Sequence, residues 1–439
     1  MAKLGAALVL CAACGSVRPL SEAPPPPVAR AADASVSRVE IRREDGITLE
    51  EAIRLAMEQN PRLLAVRGAV LLAEAQRLTA SQWPFNPALT VEGDRALPWS
   101  EQGDNSLGLG VSQEFEVGGQ RRRRSAVAAA NVERVQASVA DEERLLKAEV
   151  ANAFYEVLAL EGQRTLALEN VEIAGKLLAA AAARFEAKQI AEVDLNLVRL
   201  QTDQARNESA RTDARARTAR LRLAALMGEP AGAELVFKGT LGVAPLEIEP
   251  DQAVRLAIGH RPDVAARRHA VREAERGIEL EESLVTPNPE LGVFFGDEFT
   301  SIGGLSERDW LLGFEIRLRL PVFNRRKGEI AQARARMRIA AAELAELERQ
   351  VEREVEVALE KLRIARDTVR LYEEQLNPLS RRNLGEFETA YRAGEVGTLE
   401  VLRAQEDRNR VARGYQEALL EYSAARIEIE SALGGEVPK

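Results

Sequence analysis

Aromatic residues make up only 4% of this 439-residue chain, and it holds two histidines and two cysteines. Both cysteines, Cys11 and Cys14, fall in the first 14 residues, which excludes a disulfide-stapled body. His260 and His269 stand nine positions apart on or near one helix and share no face, so they offer no metal centre. An excess of positive charge is missing too: 60 basic against 69 acidic side chains leave a net charge of −9, which speaks against a nucleic-acid partner. No run approaches the roughly 18 apolar residues that a spanning helix needs, which excludes a helical inner-membrane bundle. There is no glycine-rich phosphate loop, zinc-binding histidine pair or nucleophile elbow. These absences point away from an enzyme and imply no cofactor and no bound metal.

What remains is 46% apolar and 29% charged, a composition suited to long helices. Lys3 precedes an apolar run from Leu4 to Ala13, which reads as an export signal over residues 1–13. Cys14, after Ala12-Ala13, resembles a lipoprotein cleavage box, although Cys11 replaces its usual large aliphatic residue. Residues 14–46, with Pro24-Pro25-Pro26-Pro27, then form an extended, lipidated tether.

The chain repeats itself. Residues 49–63 read LEEAIRLAMEQNPRL and 250–264 read PDQAVRLAIGHRPDV, with Ala52, Leu55 and Pro61 lying 201 positions before Ala253, Leu256 and Pro262. Asn86-Pro87 matches Asn288-Pro289 at 202, and Leu226-Met227-Gly228 matches Ala432-Leu433-Gly434 at 206. The repeats span 47–228 and 250–434, joined by 229–249 and followed by a tail at 435–439. Each is expected to run short helix, long helix, two strands, very long helix, long helix.

The strands, in hairpins at about 88–117 and 290–322, alternate strictly. Leu107, Leu109 and Val111 interleave with Gly108 and Gly110; Trp310, Leu312, Phe314 and Ile316 interleave with Leu311, Gly313, Glu315 and Arg317. Ten to twelve residues exceed a usual soluble strand and match a tilted crossing of a bilayer, with the apolar set facing lipid. Four strands cannot close a barrel, and lipid tolerates no open edge. The protein must therefore self-associate; two copies give eight strands and three give twelve. A basic cluster follows each hairpin, Arg121 and Arg122 in the first and Arg325 and Arg326 in the second. Cations at a helix start oppose its dipole, so the clusters read as meeting anionic headgroups at the membrane boundary or as a plain solvated helix start; nucleic acid is the third option, and no aromatic or loop context accompanies the clusters to support it.

Apolar residues then recur every three or four positions, from Val132 to Leu178 and from Ile330 to Tyr372, along helix pairs at about 122–227 and 326–432. Fifty residues give a rod of about 75 Å. A ring of such rods continuous with a barrel is a tube; an antiparallel coiled-coil spacer fits the periodicity alone equally well. The far turns correspond at 206 and carry Glu192 and Asp194 in one, Glu395 and Glu400 in the other. These carboxylates either ring a cation-favouring gate or favour their helix starts. Gly394 supplies a tight bend, where the first turn has Lys188, and Thr398 is placed to cap the following helix.

Together these features resemble the outer-membrane factors of tripartite efflux systems, the TolC-like family. The local signatures are Thr48-Leu49-Glu50-Glu51-Ala52 with Asn60-Pro61, the Asn-Pro before each first strand, Leu320-Pro321-Val322-Phe323-Asn324-Arg325 with Gly328, and Tyr391-Arg392-Ala393-Gly394 with Leu399-Glu400. Of the subgroups, the chain looks most like the heavy-metal cation and cobalt-zinc-cadmium branch. The resemblance implies a mixed α/β membrane protein: a homotrimer whose twelve-stranded outer-membrane β-barrel, four strands per chain, continues into a long periplasmic α-helical barrel. It further implies a lipid-anchored, passive channel for metal cations or drugs. A periplasmic adaptor would engage the tip turns, where Lys188, Ile190, Arg392, Gly394, Val396 and Leu399 lie, and an inner-membrane pump of the resistance-nodulation-division type would supply the energy. The other readings are a protein-secretion conduit on the same scaffold and a soluble coiled-coil scaffold.

Overall fold

The computed structural model describes residues 46–95, 105–230, 235–243, 246, 248–302 and 305–435. The export signal, Cys14, nearly all of the tether and the tail beyond 435 lie outside the described residues. From Ile47 onward the chain forms one unit.

Local chemistry sets the start of each repeat. Helix α1 (Leu49–Gln59) begins with a capping box, in which Glu51 N–H donates to Thr48 Oγ1 at 3.4 Å and Thr48 N–H donates to the Glu51 carboxylate at 3.0 Å. Asn60 caps α2 (Pro61–Ser81) by accepting from Leu63 N–H at 3.1 Å, while its amide donates to the Leu226 carbonyl at 2.8 Å. The second repeat opens with α5 (Pro250–His260) and α6 (Pro262–Ser283). There Arg261 takes the place of Asn60. It is buried, 5% exposed, and its guanidinium donates to Asp263 at 2.7 and 3.1 Å and to Glu354 at 2.6 Å. Burial works to push the Asp263 carboxyl up, but Arg261 and the Val264 N–H outweigh it and hold the carboxyl below its ordinary range.

The same close approach closes both repeats. Gly228 and Gly434 are left-handed, at φ of 79° and 94°. A Cβ on Gly228 would sit 2.6 Å from the Gln59 carbonyl oxygen, and one on Gly434 2.8 Å from the His260 carbonyl carbon. Only glycine satisfies both the φ and the space.

Strands β1 (Ala88–Arg95), β2 (Asn105–Glu114), β3 (Pro289–Ile302) and β4 (Leu305–Leu318) form one antiparallel sheet in the order β1-β2-β3-β4. The strands of the two hairpins end at Glu114 and Leu318, and β3 and β4 are 14 residues each. Gln120 joins the repeats where strand turns into helix. Its buried amide donates to the Thr286 carbonyl at 3.1 Å and to Asn288 Oδ1 at 3.0 Å, and accepts from Gly118 N–H at 2.8 Å.

Helix α3 (Gln120–Glu186) runs unbroken for 67 residues, about 100 Å at 1.5 Å per residue. It returns as α4 (Glu192–Leu226). The second repeat differs. Helix α7 (Lys327–Leu371) gives way to a five-residue π turn at Tyr372–Leu376, and the rod continues as α8 (Asn377–Ala393) before α9 (Thr398–Ala432) returns. Pro378 cannot donate to the carbonyl four residues earlier, and the wider turn absorbs the gap. The expected stripes are the buried ones: Val150, Ala153 and Val157 on α3, and Val355, Ala358 and Leu362 on α7. Part of the inter-repeat segment is strapped to the body, with Ile47 N–H donating to the Val236 carbonyl at 2.8 Å and Lys238 N–H to the Ile47 carbonyl at 2.9 Å.

Candidate functional site: the apolar sheet and the hairpin tips

Register places the alternating residues in rows across the sheet. Leu89, Val111, Val293 and Phe314 form one row, and Val91, Leu109, Phe295 and Leu312 the next, all on one face. Trp310 stands opposite Asp297 and Ile316 opposite Leu291 on that same face. Ala88, Ser112, Gly292 and Glu315 share the other face, where Arg317 donates to Glu315 at 2.7 Å and to Glu290 at 3.1 Å. No helix packs across either face among the described residues. Leu312, Phe314 and Ile316 are 65%, 78% and 74% exposed, which no water-facing sheet of this length tolerates.

Aromatic rings bound the apolar band. Near the β3–β4 turn, Trp310 stacks on Phe295 at 5.2 Å and carries the Arg308 guanidinium 5.2 Å above its ring; Arg308 in turn pairs with Asp297. At the helix end, Trp83 meets Phe115 edge-on at 6.3 Å with Arg121 5.0 Å over the indole. From Trp310 to the end of β4 at Leu318 is about 26 Å along the strand, or about 20 Å of height at a 40° tilt, with exposed Leu320 and Val322 continuing the apolar run beyond it. That approaches the roughly 25 Å of a bilayer-facing band.

The basic clusters divide by contact. Arg121, Arg122 and Arg325 are exposed. Arg122 and Arg123 line a cavity of about 640 Å³ with Glu133, Arg272, Arg276 and Glu279. Arg326 instead bonds Glu281 on α6 at 2.6 Å from a left-handed backbone, φ 53°. Arg124 straps the Ala80 and Gln82 carbonyls and pairs with Glu116 at 2.7 Å. These two therefore pin the strand-to-helix corner, a role that runs of like charge do not announce.

At the far tips Lys188 and Gly394, equivalent at 206, both adopt the left-handed conformation, at φ 57° and 78°. Ile190 tucks against Ala181, Leu195, Val198 and Leu402, bringing the two hairpin ends together. The Arg184 guanidinium lies 4.8 Å over the Tyr391 ring. Asp194 accepts from the Ala191 N–H at 3.2 Å, and Glu400 folds back over Gly397. Both occupy the third position of their helix. The N-cap of α9 is Gly397, with Thr398 buried one residue inside, so the expected Thr398 cap is not formed. Glu192, Glu395, Lys188 and Leu399 are exposed, and Val396 is half-buried. The side chain of Arg392 is outside the described residues.

Among the described residues no group of three or more histidines, cysteines or carboxylates is placed to hold a metal, and no helix is long and apolar enough to cross a membrane. An exposed apolar sheet joined to paired rods defines a class of protein that works through its shape. Residues 52–229 and 253–435 match the outer membrane efflux protein family, and the chain belongs to it. It is thus an outer-membrane channel component of an efflux system, a conduit and not a catalyst. The chain is 25% identical over 363 residues to the cobalt-zinc-cadmium resistance protein CzcC of Cupriavidus metallidurans, covering 82% of this chain and 83% of that protein. Its fold is similar to a crystal structure of a Pseudomonas aeruginosa membrane protein (TM-score 0.72, 21% identity, 89% of this chain and 92% of that one). It is equally similar to that of CusC, with TM-score 0.72, 18% identity, and 88% and 92% covered.

Proposed function

We propose that three copies of the chain close a twelve-stranded barrel in the outer membrane, with their helices forming a continuous periplasmic tunnel. The channel conducts passively what a periplasmic adaptor and an inner-membrane pump of the resistance-nodulation-division type deliver to it. The observation that carries this reading is the uncovered apolar face, banded by aromatics, on a sheet whose two edge strands lack partners among the described residues. Lipid must cover that face and further strands must meet those edges. Cys14 anchors the chain by lipidation. Arg121, Arg122 and Arg325 meet headgroups, the adaptor engages the turns around Lys188, Ile190, Arg392, Gly394, Val396 and Leu399, and Glu192 and Glu395 present a cation-favouring ring.

The cargo we infer is heavy-metal cations, supported by the name of the Cupriavidus relative and by the exposed carboxylates at the tips. Growth of a deletion strain against zinc, cobalt, cadmium, nickel, copper and silver, beside dyes and antibiotics, tests this. Selective metal sensitivity, restored by the wild-type gene, is the expected result. Sensitivity to organic compounds alone would move the cargo to drugs, and none at all would favour a protein-secretion conduit.

A further inference from the structure

The cavity of about 640 Å³ between α3 and α6 gathers more positive charge than its own residues balance. Arg122 and Arg123 line it from α3, Arg272 and Arg276 from α6, and its carboxylates are Glu133 and Glu279. Both carboxylates already have partners. Glu279 pairs with Arg276 at 2.8 Å, and Glu133 meets His269 Nδ1 at 2.9 Å and Arg272 at 3.9 Å. Arg123 donates only to the Gly118 carbonyl, at a long 3.4 Å, and Arg122 has no hydrogen bond or ion pair among the described residues. These two also occupy the first turn of α3, where the helix dipole adds its positive end and the N-cap, Gly119, has no side chain to offer the free N–H groups. Convergent guanidiniums and an uncapped helix start are separate costs, and an anion in the cavity relieves both.

The second repeat lacks the same arrangement. Helix α7 follows α3 at an offset of 205, with buried Val355, Ala358 and Leu362 standing for Val150, Ala153 and Val157. At that offset Arg122 becomes Lys327, Arg123 becomes Gly328 and Glu133 becomes Arg338. A cavity of about 530 Å³ lies there too, but α7 alone lines it, so no cation faces Lys327 from a second helix. The two-sided set of guanidiniums belongs to the first repeat.

We propose that the α3–α6 cavity binds a phosphate-bearing anion between Arg122 and Arg123 on one side and Arg272 and Arg276 on the other. A planar guanidinium matches phosphate with two parallel hydrogen bonds, and Arg272 and Arg276 keep spare N–H groups beyond those given to carboxylates. The source of the phosphate rests on the reading of the sheet as membrane-spanning. Arg121, beside Arg122, lies 5.0 Å over Trp83, in the aromatic pair that bounds the apolar band at its helix end. On that reading the mouth of the cavity is at headgroup depth, and the phosphate at hand is that of a phospholipid. Free phosphate in the surrounding water carries the same group.

Two probes on the full-length protein in detergent test the site. Native mass spectrometry reads retention of phosphatidylglycerol against diacylglycerol, which lacks the phosphate. Thermal unfolding with inorganic phosphate titrated against chloride at constant ionic strength reads the free anion. At least one probe should bind. Arg122→Gln should weaken that binding about tenfold or more, as loss of a charge-assisted hydrogen bond does, and the double variant with Arg276→Gln about a hundredfold. Arg122 is exposed, so its loss should leave folding intact, and Arg122→Lys, which keeps the charge but not the fork, should fall between. Arg338→Gln removes the same charge from the corresponding stretch of α7 and should change nothing. Preference for phosphatidylglycerol identifies a lipid headgroup, and a response to inorganic phosphate alone identifies the free anion. Binding of neither, equal retention of the two lipids with no response to phosphate, or equal loss from Arg338→Gln overturns the site. Unheated gels run in parallel keep the two readings apart. Failure of both probes with the oligomer intact strikes the cavity alone, whereas a detergent-independent monomer that still binds phosphate strikes the channel reading and keeps the cavity.

Discussion

A single charge on the apolar face should be far more damaging than one on the face behind it. Phe314 is 78% exposed, ends the row Leu89–Val111–Val293–Phe314, and sits four residues from Trp310 and six from Leu320. That places it near the middle of the band, where an arginine facing lipid costs about 2–4 kcal/mol. A closed ring of three copies places it there three times, roughly 6–12 kcal/mol in all. Glu315, its neighbour, is on the opposite face, and Glu315→Gln removes only an exposed pairing with Arg317 that water and salt screen. Outer-membrane fractions run unheated on gels read the oligomer directly. Phe314→Arg should abolish the oligomer band, and Glu315→Gln should leave it unchanged. Equal yields from both variants, or loss from Glu315→Gln alone, would refute the assignment of faces.

The remaining expectations concern the helices. Gly228→Ala and Gly434→Ala should each destabilise the repeat by more than the 1–2 kcal/mol or so of a left-handed residue, because the new methyl also meets backbone at 2.6 or 2.8 Å; thermal unfolding in detergent reads this. Lys188→Gly should stabilise the first tip and Gly394→Ala weaken the second, each by about 1 kcal/mol, seen as changed amide exchange at the tips. Asp263 has a depressed pKa, so its contribution to stability is present above the ordinary carboxylate value of 3.8 and is lost as pH falls below it. Asp263→Asn should flatten acid unfolding of the α5–α6 corner in that window and cost about 1–3 kcal/mol at neutral pH. Glu192→Gln with Glu395→Gln should lower cation preference in single-channel recordings, whereas Asp194→Ala, which removes a helix-start acceptor, should chiefly loosen the tip.

The duplication, the hairpins and the rods were legible because each rests on a period: 201 to 206 for the repeats, two for the strands, three and four for the helices. The break in the second rod was not, although Pro378 marks it; the apolar stripe runs on to Tyr372 and conceals the change of pitch. Position 261 was also opaque. Asn60 and Arg261 are equivalent, yet one caps a helix and the other grips two carboxylates, one of them 93 residues away. Gln120 carries no signal in the sequence, because its partners come from the other repeat. The arginine clusters read as uniform charge, and only contacts separate Arg124 and Arg326, tied into corners, from exposed Arg121, Arg122 and Arg325. At the tips the carboxylates share a sequence pattern but not a geometry: Asp194 and Glu400 fold back toward their helix starts, while Glu192 and Glu395 do not, and only Asp194 is half-buried.

The native mass of the detergent-extracted protein decides whether the chain is a subunit of a closed barrel. A barrel subunit must come out of the membrane as an assembly of three chains, each of just under 48.1 kDa once the export signal is removed, that falls out of solution when detergent is removed. A monomer that stays soluble without detergent would contradict it.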